Sequence, residues 1–197
     1  MGRTQRRGET ARTRLLATTA ELLHKQGYSS TGMNQILDES KAPKGSLYFY
    51  FPGGKEELVA AALSQASEGL SATLQQLLDA SPTPVAAVKA VIAFFKGQLE
   101  HSHFTKGCPV ATVALEQSAT SDALHEVCAG AYRGWHRLVE KRLVRDGYSP
   151  ARADSLANFF LTTLEGALLV SRAHRSTAPL VAAGNELIRI LEQGDHA

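Results

Sequence analysis

The chain has 197 residues, a formal net charge of +2 and 44% hydrophobic residues, an ordinary composition for a globular protein that is large enough to bury a core. Its apolar runs are shorter than the roughly 18 residues that a membrane-spanning helix needs, and no apolar segment follows the basic N-terminus as in a signal peptide. The only cysteines are Cys108 and Cys128, too few for a disulfide framework. We therefore expect a cytoplasmic protein without a membrane segment.

Positive charge is concentrated at the start of the chain. Residues 1–55 carry nine Lys and Arg against four Asp and Glu, a net charge of +5, whereas the remainder has a net charge of −3. A protein that binds a polyanion such as DNA would require this cluster of positive charge, although a solvated charged face has the same composition. We include Arg3, Arg6 and Arg7 among the predicted DNA contacts.

Helical periodicity runs through the whole chain, and we find no sustained strand alternation. The first helix is predicted at about Glu9–Gln26 and the second after Thr31. The third, Lys44–Tyr50, has Pro43 at its first helical position, and the fourth is predicted at about Lys55–Asp79. The remaining predicted helices are 84–104, 109–117, 121–146, 150–175 and 178–193. Their predicted N-caps are Thr31, Thr83, Ser121, Ser149 and Thr177, and their predicted terminators are Gly27, Gly107, Gly147 and Gly194. The sequence thus predicts an all-α fold of about nine helices, with a three-helix domain over 1–54 and a helical bundle domain over 55–197.

The second and third predicted helices have the size of a helix-turn-helix motif. Lys44, Gly45 and Ser46 open the third helix with a cation, a residue without a side chain and a small hydroxyl. Such residues let a helix N-terminus approach the floor of a DNA groove and bond base edges or phosphates. The hydroxyls of Tyr48 and Tyr50 can reach phosphate oxygens. We expect Leu47 and Phe51 on the same helix to face inward.

The next helix begins at Lys55, where free backbone N–H groups and the helix dipole favour an anion. The preceding Gly53-Gly54 also suggests a phosphate-binding loop, but Glu56 stands where that loop needs Ser or Thr. We therefore predict a contact to DNA phosphate and no nucleotide site.

Residues 12–58 resemble the TetR family. The resemblance is carried by Gly27-Tyr-Ser-Ser-Thr31, by Ser40-Lys-Ala-Pro-Lys-Gly-Ser-Leu-Tyr-Phe-Tyr-Phe51 and by Lys55-Glu-Glu-Leu58. It implies phosphate contacts by Thr31, Tyr48, Tyr50 and Lys55, and groove contacts by Lys44, Gly45 and Ser46. Three residues depart from the family pattern. Lys41 occupies the usual turn glycine, which predicts a strained left-handed backbone, while Pro43 replaces a serine and Tyr50 a histidine.

The rest of the chain resembles the LmrA/YxaF-like branch of this family. The similar segments are Pro52–Lys55, Gly107-Cys-Pro-Val-Ala-Thr-Val-Ala-Leu-Glu116, Leu164-Glu-Gly-Ala-Leu168 and Arg172-Ala173. The resemblance implies that this part of the chain dimerises and holds an effector pocket.

The last two predicted helices are apolar on more than one face, so each needs two surfaces to cover it. We favour a homodimer in which these helices face a partner, against the alternative of a central helix buried within one monomer. The predicted interface residues are Leu161, Leu164, Leu168, Leu180, Gly184, Leu187 and Leu191.

Aromatic residues with few charges between them occur throughout the central helices. Such side chains belong to an ordinary core more often than to a pocket, but the family resemblance favours a cavity for a small hydrophobic effector. The predicted pocket residues are Phe94, Phe95, Cys108, Val113, Trp135, Phe159 and Phe160.

Signatures of catalysis are missing from the sequence: neither G-x-S-x-G nor H-E-x-x-H occurs. His101 and His103 lie near Cys108, but helical residues two apart point in different directions, so we predict no metal site. We also predict no catalytic residues and no cofactor. Cys108, before a proline at a predicted helix start, leaves a thiol sensor open as an alternative to an inert cysteine.

These patterns favour a ligand-responsive transcriptional repressor that binds palindromic, double-stranded operator DNA as a homodimer and is released by a small hydrophobic effector. Two alternatives stay open. One is a helical enzyme or carrier with an incidentally basic N-terminus, and the other is a constitutive DNA-binding protein without an effector.

Overall fold

A computed structural model of the chain describes the backbone of residues 2–193 and the side chains of residues 11–193. Within this range it contains helices and no strands, as the sequence predicts. The helices are α1 (Gly2–Gln26), α2 (Met33–Ser40), α3 (Lys44–Tyr50), α4 (Lys55–Ala80), α5 (Pro84–His101), α6 (Pro109–Gln117), α7 (Asp122–Arg145), α8 (Pro150–His174) and α9 (Ala178–Glu192). None of these helices is long and apolar enough to cross a bilayer.

Two helix ends differ from their predictions by three or more residues. Helix α1 begins at Gly2, well before Glu9. Helix α5 ends at His101 instead of residue 104 because His103 and Phe104 adopt the left-handed conformation, with φ of 49° and 59°. The N–H of Phe104 donates to the carbonyl of Leu99 at 2.8 Å, which closes the helix three residues early. Gly107 is therefore not the terminator.

Several predictions concern residues beyond this described range. The side chains of Arg3, Arg6 and Arg7 and the predicted terminator Gly194 all lie outside the described residues.

Three predicted N-caps are confirmed. The hydroxyl oxygens of Thr83, Ser121 and Ser149 accept hydrogen bonds from the backbone N–H three residues further on, at 3.1, 3.1 and 3.4 Å. Thr177 is the N-cap residue of α9, as predicted, but its side chain makes no capping bond. The hydroxyl of Ser176 accepts a hydrogen bond from the N–H of Ala178 at 3.2 Å.

Three long helices, α1, α7 and α8, end at a residue in the left-handed conformation. Gly27 and Gly147 have positive φ, 76° and 97°, which confirms both as terminators. Arg175 ends α8 with φ of 50°, while the N–H of Ser176 bonds to the carbonyl of Ser171 at 3.1 Å.

The chain divides into two compact units. The first, here the N-terminal unit, contains the described residues up to Glu68 together with Pro109–Ala131. Helices α1, α2 and α3 and the start of α4 pack around one apolar core, and α6 packs against α1. The core residues are Leu15, Leu16, Leu22, Ile36, Ala42, Leu47, Phe51, Leu58 and Ala62.

The second compact unit, here the C-terminal unit, contains Gly69–Cys108 and the described residues from Tyr132 onward. Helix α9 packs against both α8 and α5. The contact with α5 is close: a Cβ atom on Gly184 would lie 2.8 Å from Cγ1 of Ile92. Only a residue without a side chain lets the two helices approach this far.

A buried arginine in the C-terminal unit hydrogen-bonds to backbone carbonyls at the end of α4. Arg142 is 5% exposed, and its guanidinium donates to the carbonyls of Leu78 and Ser81 and to the carboxylate of Asp146. These bonds satisfy a buried charge that would otherwise be strongly destabilising.

Candidate nucleic-acid interface

Helix α3 is anchored by its apolar side chains and presents its polar side chains outward. Leu47 is 0% exposed and Phe51, directly after the helix, is 2% exposed, which confirms that both face inward. Lys44, Gly45 and Tyr48 are exposed, whereas Ser46 and Tyr50 are half-buried. The structure thus brings all five predicted α3 residues onto one short helix with a cation and a bare backbone at its start.

The turn between α2 and α3 depends on one left-handed residue. Lys41 has φ of 54° and ψ of 28°, as predicted from its replacement of a glycine. Arg14 on α1 donates to the Lys41 carbonyl at 3.2 Å, which fixes the turn against the first helix. Pro43 is the N-cap of α3 and not its first helical residue; no side chain caps this helix end.

Thr31 does not fill its predicted roles. Its side chain is fully buried, and its hydroxyl donates to the carbonyl of Gly27 at 2.6 Å. Gly32, not Thr31, is the N-cap of α2. The hydroxyl is therefore occupied inside the turn between α1 and α2, and it is not exposed to a phosphate.

Lys55 is likewise engaged within the chain. Its ammonium donates to the carbonyl of Tyr28 at 2.8 Å and lies 4.1 Å from the centroid of the Tyr28 ring, a cation–π arrangement. Burial lowers the pKa of Lys55, and the nearby carboxylate of Glu116 opposes that shift. In this structure Lys55, which is predicted to contact a phosphate, is half-buried and connects α4 to the turn after α1.

Helix α6 holds the same turn from the other side. The carboxylate of Glu116 accepts from the N–H of Ser29 at 2.7 Å. A Cβ atom on Gly27 would lie 2.8 Å from Cγ2 of Thr112 and still closer to Glu116. The Ser121 hydroxyl donates to Glu56 at 2.5 Å, joining the start of α7 to the start of α4. Sequence reasoning missed Glu116, since no local pattern relates residues 29 and 116.

The structure covers most of the predicted dimer-interface residues within their own chain. Leu180, Gly184 and Leu187 are buried within their own chain, and Leu164 and Leu168 are almost fully covered, while Leu161 and Leu191 are half-buried. The reason is that α9 turns its main apolar stripe toward α5 and α8. The exposed large apolar side chains of α8 and α9 are instead Phe159, Leu169, Val170 and Val181.

The predicted pocket residues do not line one cavity. Val113 is buried in the N-terminal unit, Trp135 is buried in edge contact with Tyr132, and Phe94 and Phe95 contact each other. Phe159 borders an open groove. Only Phe160 of the predicted set lines the apolar cavity of the C-terminal unit.

That cavity encloses about 40 Å³, room for a few water-sized groups. Its walls come from α4, α5, α7, α8 and α9, and they are apolar apart from Arg142. The lining residues are Leu78, Pro84, Ala87, Val88, Val91, Val139, Arg142, Leu143, Leu156, Phe160, Leu187, Ile190 and Leu191.

The two cysteines lie in different surroundings. Burial raises the pKa of the Cys128 thiol to about 11, so Cys128 is a poor nucleophile. Cys108 is half-buried and hydrogen-bonds to the Glu165 side chain, whose own pKa is raised by burial. In the part of the chain that the structure describes, no cluster of three or more His, Cys, Asp and Glu side chains forms a metal site.

Comparisons with known proteins agree with this geometry. Residues 15–62 match the model for bacterial regulatory proteins of the tetR family, and residues 84–186 match the model for the C-terminal domain of LmrA/YxaF-like transcriptional regulators. The chain is 33% identical to the uncharacterized HTH-type transcriptional regulator YxaF of Bacillus subtilis over 181 residues, 92% of this chain and 94% of YxaF. It is 34% identical to the HTH-type transcriptional regulator LmrA of the same organism over 171 residues, 87% of this chain and 91% of LmrA.

A similar fold is found in the crystal structure of the regulatory protein TetR from Rhodobacter sphaeroides. The TM-score is 0.82 at 26% identity, and the match covers 91% of this chain and 97% of that one.

The chain therefore belongs to the TetR family of bacterial transcription regulators, with a C-terminal domain of the LmrA/YxaF-like type. The relatives are transcriptional regulators, which agrees with the prediction of a regulator and not an enzyme.

Proposed function

We propose that this regulator is a repressor that binds palindromic operator DNA as a homodimer through α3, and that a small hydrophobic effector releases it. The observation that carries the proposal is the outward face of α3. Lys44, Gly45 and Tyr48 are exposed there, on a helix that Leu47 anchors in the core. A cation beside a bare backbone lets this helix lie deep in a major groove.

Specific binding requires two copies of the chain, because one helix-turn-helix reads only a few base pairs. A two-fold axis places two recognition helices in successive major grooves, roughly 34–36 Å apart, and makes the operator palindromic. The exposed side chains Phe159, Leu169, Val170 and Val181 supply the apolar surface for this contact. They replace the buried leucines of the sequence-based interface.

The effector is proposed to enter the apolar cavity of the C-terminal unit. Ligand pockets usually enclose about 300–1,000 Å³, far more than the 40 Å³ present. A ligand must therefore separate the surrounding helices, so binding and conformational change are one event. Helix α4 carries Leu78 at the cavity and Lys55 at its other end. Movement of this helix is the proposed link between effector binding and DNA release. A coupling of about 1–3 kcal/mol would change operator affinity some 5–150-fold.

The test of DNA binding begins by selecting duplexes from random DNA with the purified full chain. Wild-type protein is expected to bind the selected palindrome far more tightly than bulk DNA. Lys44→Ala should alter the preference among selected sites, whereas Lys89→Ala, an exposed lysine on α5, should leave binding unchanged. If no duplex is bound more tightly than bulk DNA, the proposal is wrong.

The test of release uses the selected duplex and a panel of hydrophobic drugs, flavonoids and fatty acyl compounds. Trp135 is the only tryptophan and lies in the C-terminal unit, so its fluorescence reports on binding there. A compound that changes this fluorescence should also lower operator affinity. Release by mild oxidation, reversed by a thiol and absent in Cys108→Ser, would instead support a thiol switch.

A further inference from the structure

Phe49 is an exposed aromatic residue on the proposed DNA-binding surface. It lies on α3 between the buried Leu47 and Phe51, yet its side chain is 78% exposed. Its one aromatic neighbour among the described residues is Tyr50, whose ring meets it edge to face at 5.0 Å. The apolar core of the N-terminal unit therefore does not explain the ring.

The position of Phe49 places it on the part of α3 that the proposed interface uses. Residues four apart share a face of a helix, so Phe49 shares its face with Gly45 and lies next to the face of Lys44 and Tyr48. Helical side chains lean toward the helix N-terminus, so the Phe49 ring leans over the turn that contains Gly45. Nothing lies within 4 Å of where a Gly45 side chain would begin, which leaves this turn open for a base edge beside the ring.

The chemistry of Phe49 limits what it can contact. Its neighbours Tyr48 and Tyr50 carry hydroxyls that suit phosphate oxygens, whereas Phe49 has no hydrogen-bond donor. In the major groove the apolar group on the base edges is the C5-methyl of thymine. Among the groups on the base edges of the major groove, the one that best suits an exposed phenyl ring is therefore a thymine methyl group.

We propose that Phe49 is a specificity-determining residue that contacts the C5-methyl of a thymine in each half of the operator. This inference rests on the proposed function, because it needs α3 to lie in the major groove. Lys44 pairs best with the acceptors of guanine, so the two side chains together select a guanine and a thymine within one half-site.

The experiment replaces thymine by deoxyuridine, which removes the methyl group and keeps the base pair. Each thymine of the duplex selected by wild-type protein is replaced in turn, symmetrically in both half-sites, and affinity is measured by fluorescence anisotropy. Removing one buried methyl group changes affinity about fourfold. Replacement at the contacted position in both half-sites removes two methyl groups and should therefore weaken wild-type binding roughly 15-fold, while the other positions change it little.

The variant Phe49→Ala completes the comparison. It should bind the thymine duplex more weakly than wild type, and it should no longer distinguish thymine from deoxyuridine at that position. Tyr50→Phe removes a hydroxyl that suits a phosphate oxygen, so it should weaken binding to both duplexes by the same factor and keep the discrimination between them. Because Phe49 is exposed, Phe49→Ala should retain the wild-type melting temperature, which checks that it is folded.

The possible results separate this inference from the proposed function. Specific binding that ignores deoxyuridine at every position would overturn the role of Phe49 and leave the repressor proposal intact. If Phe49→Ala loses the same affinity for the thymine and deoxyuridine duplexes and still distinguishes them, the ring contacts sugars instead of bases. Failure to select any duplex would overturn both this inference and the proposed function.

Discussion

The N-terminal and C-terminal units both pack amphipathic helices, but the side chains that they expose differ in kind. On the seven-residue α3, only Leu47 is buried, so cationic, aromatic and small residues remain outside. On α8 and α9, apolar residues cover one face toward the chain's own core and still leave Phe159, Leu169, Val170 and Val181 exposed. A mixed polar surface suits a hydrated polyanion, whereas a second apolar face suits another apolar surface. The two proposed interfaces therefore differ in the kind of side chain that each unit leaves exposed.

The largest expected effect comes from the inner face of α9. Leu180 is fully buried, so Leu180→Ala should lower the free energy of unfolding by about 2–5 kcal/mol through lost burial and the cavity left behind. Urea denaturation followed by circular dichroism measures this change. Val144→Ala on α7, where the side chain is 43% exposed, is the control and should change it by less than about 1 kcal/mol. A similarly small loss for Leu180→Ala would contradict the packing of α9 against α5 and α8.

The breadth of the apolar pattern on α8 and α9 could be predicted from the sequence, but not which face meets which neighbour. Leu180, Leu187 and Gly184 fall on a regular stripe, and a stripe of this kind fits a partner chain as well as the monomer core. The decision depends on α5, where Ile92 meets Gly184. That contact joins residues 92 apart in sequence, so no local spacing reveals it.

The outer face of α8 provides the second prediction. Val170→Asp places a charge in the proposed dimer contact, where it would be buried without a partner. The dimer dissociation constant should rise at least about 30-fold, which corresponds to about 2 kcal/mol. Sedimentation velocity at several concentrations measures it. Val144→Asp alters the same residue type at nearly the same exposure, 43% against 42%, so it should leave the dimer intact. Equal dissociation constants for the two variants would place the interface elsewhere.

In the N-terminal unit the sequence predicts the buried anchors of α3 and the turn before it, because one short motif contains both. Leu47 and Phe51 face inward and Lys41 is left-handed, as expected. The errors concern polar side chains that the fold itself uses. Thr31 bonds to Gly27, and Lys55 bonds to the carbonyl of Tyr28. A hydroxyl or ammonium suited to a phosphate is equally suited to a backbone carbonyl, and only the path of the chain decides between them.

The smallest expected effect concerns the turn that orients α3. Lys41 holds φ of 54°, a left-handed conformation that costs a residue with a side chain roughly 1–2 kcal/mol and costs glycine little. Lys41→Gly removes this strain together with the lysine charge, and Lys41→Ala removes the charge alone. The glycine variant should therefore be more stable than the alanine variant by about 1 kcal/mol in urea denaturation. Both variants lose the same positive charge, so their salt dependence of DNA binding should match. If alanine and glycine are equally stable, the left-handed turn is not under strain, and the bond from Arg14 to the Lys41 carbonyl gains importance in holding α3 in place.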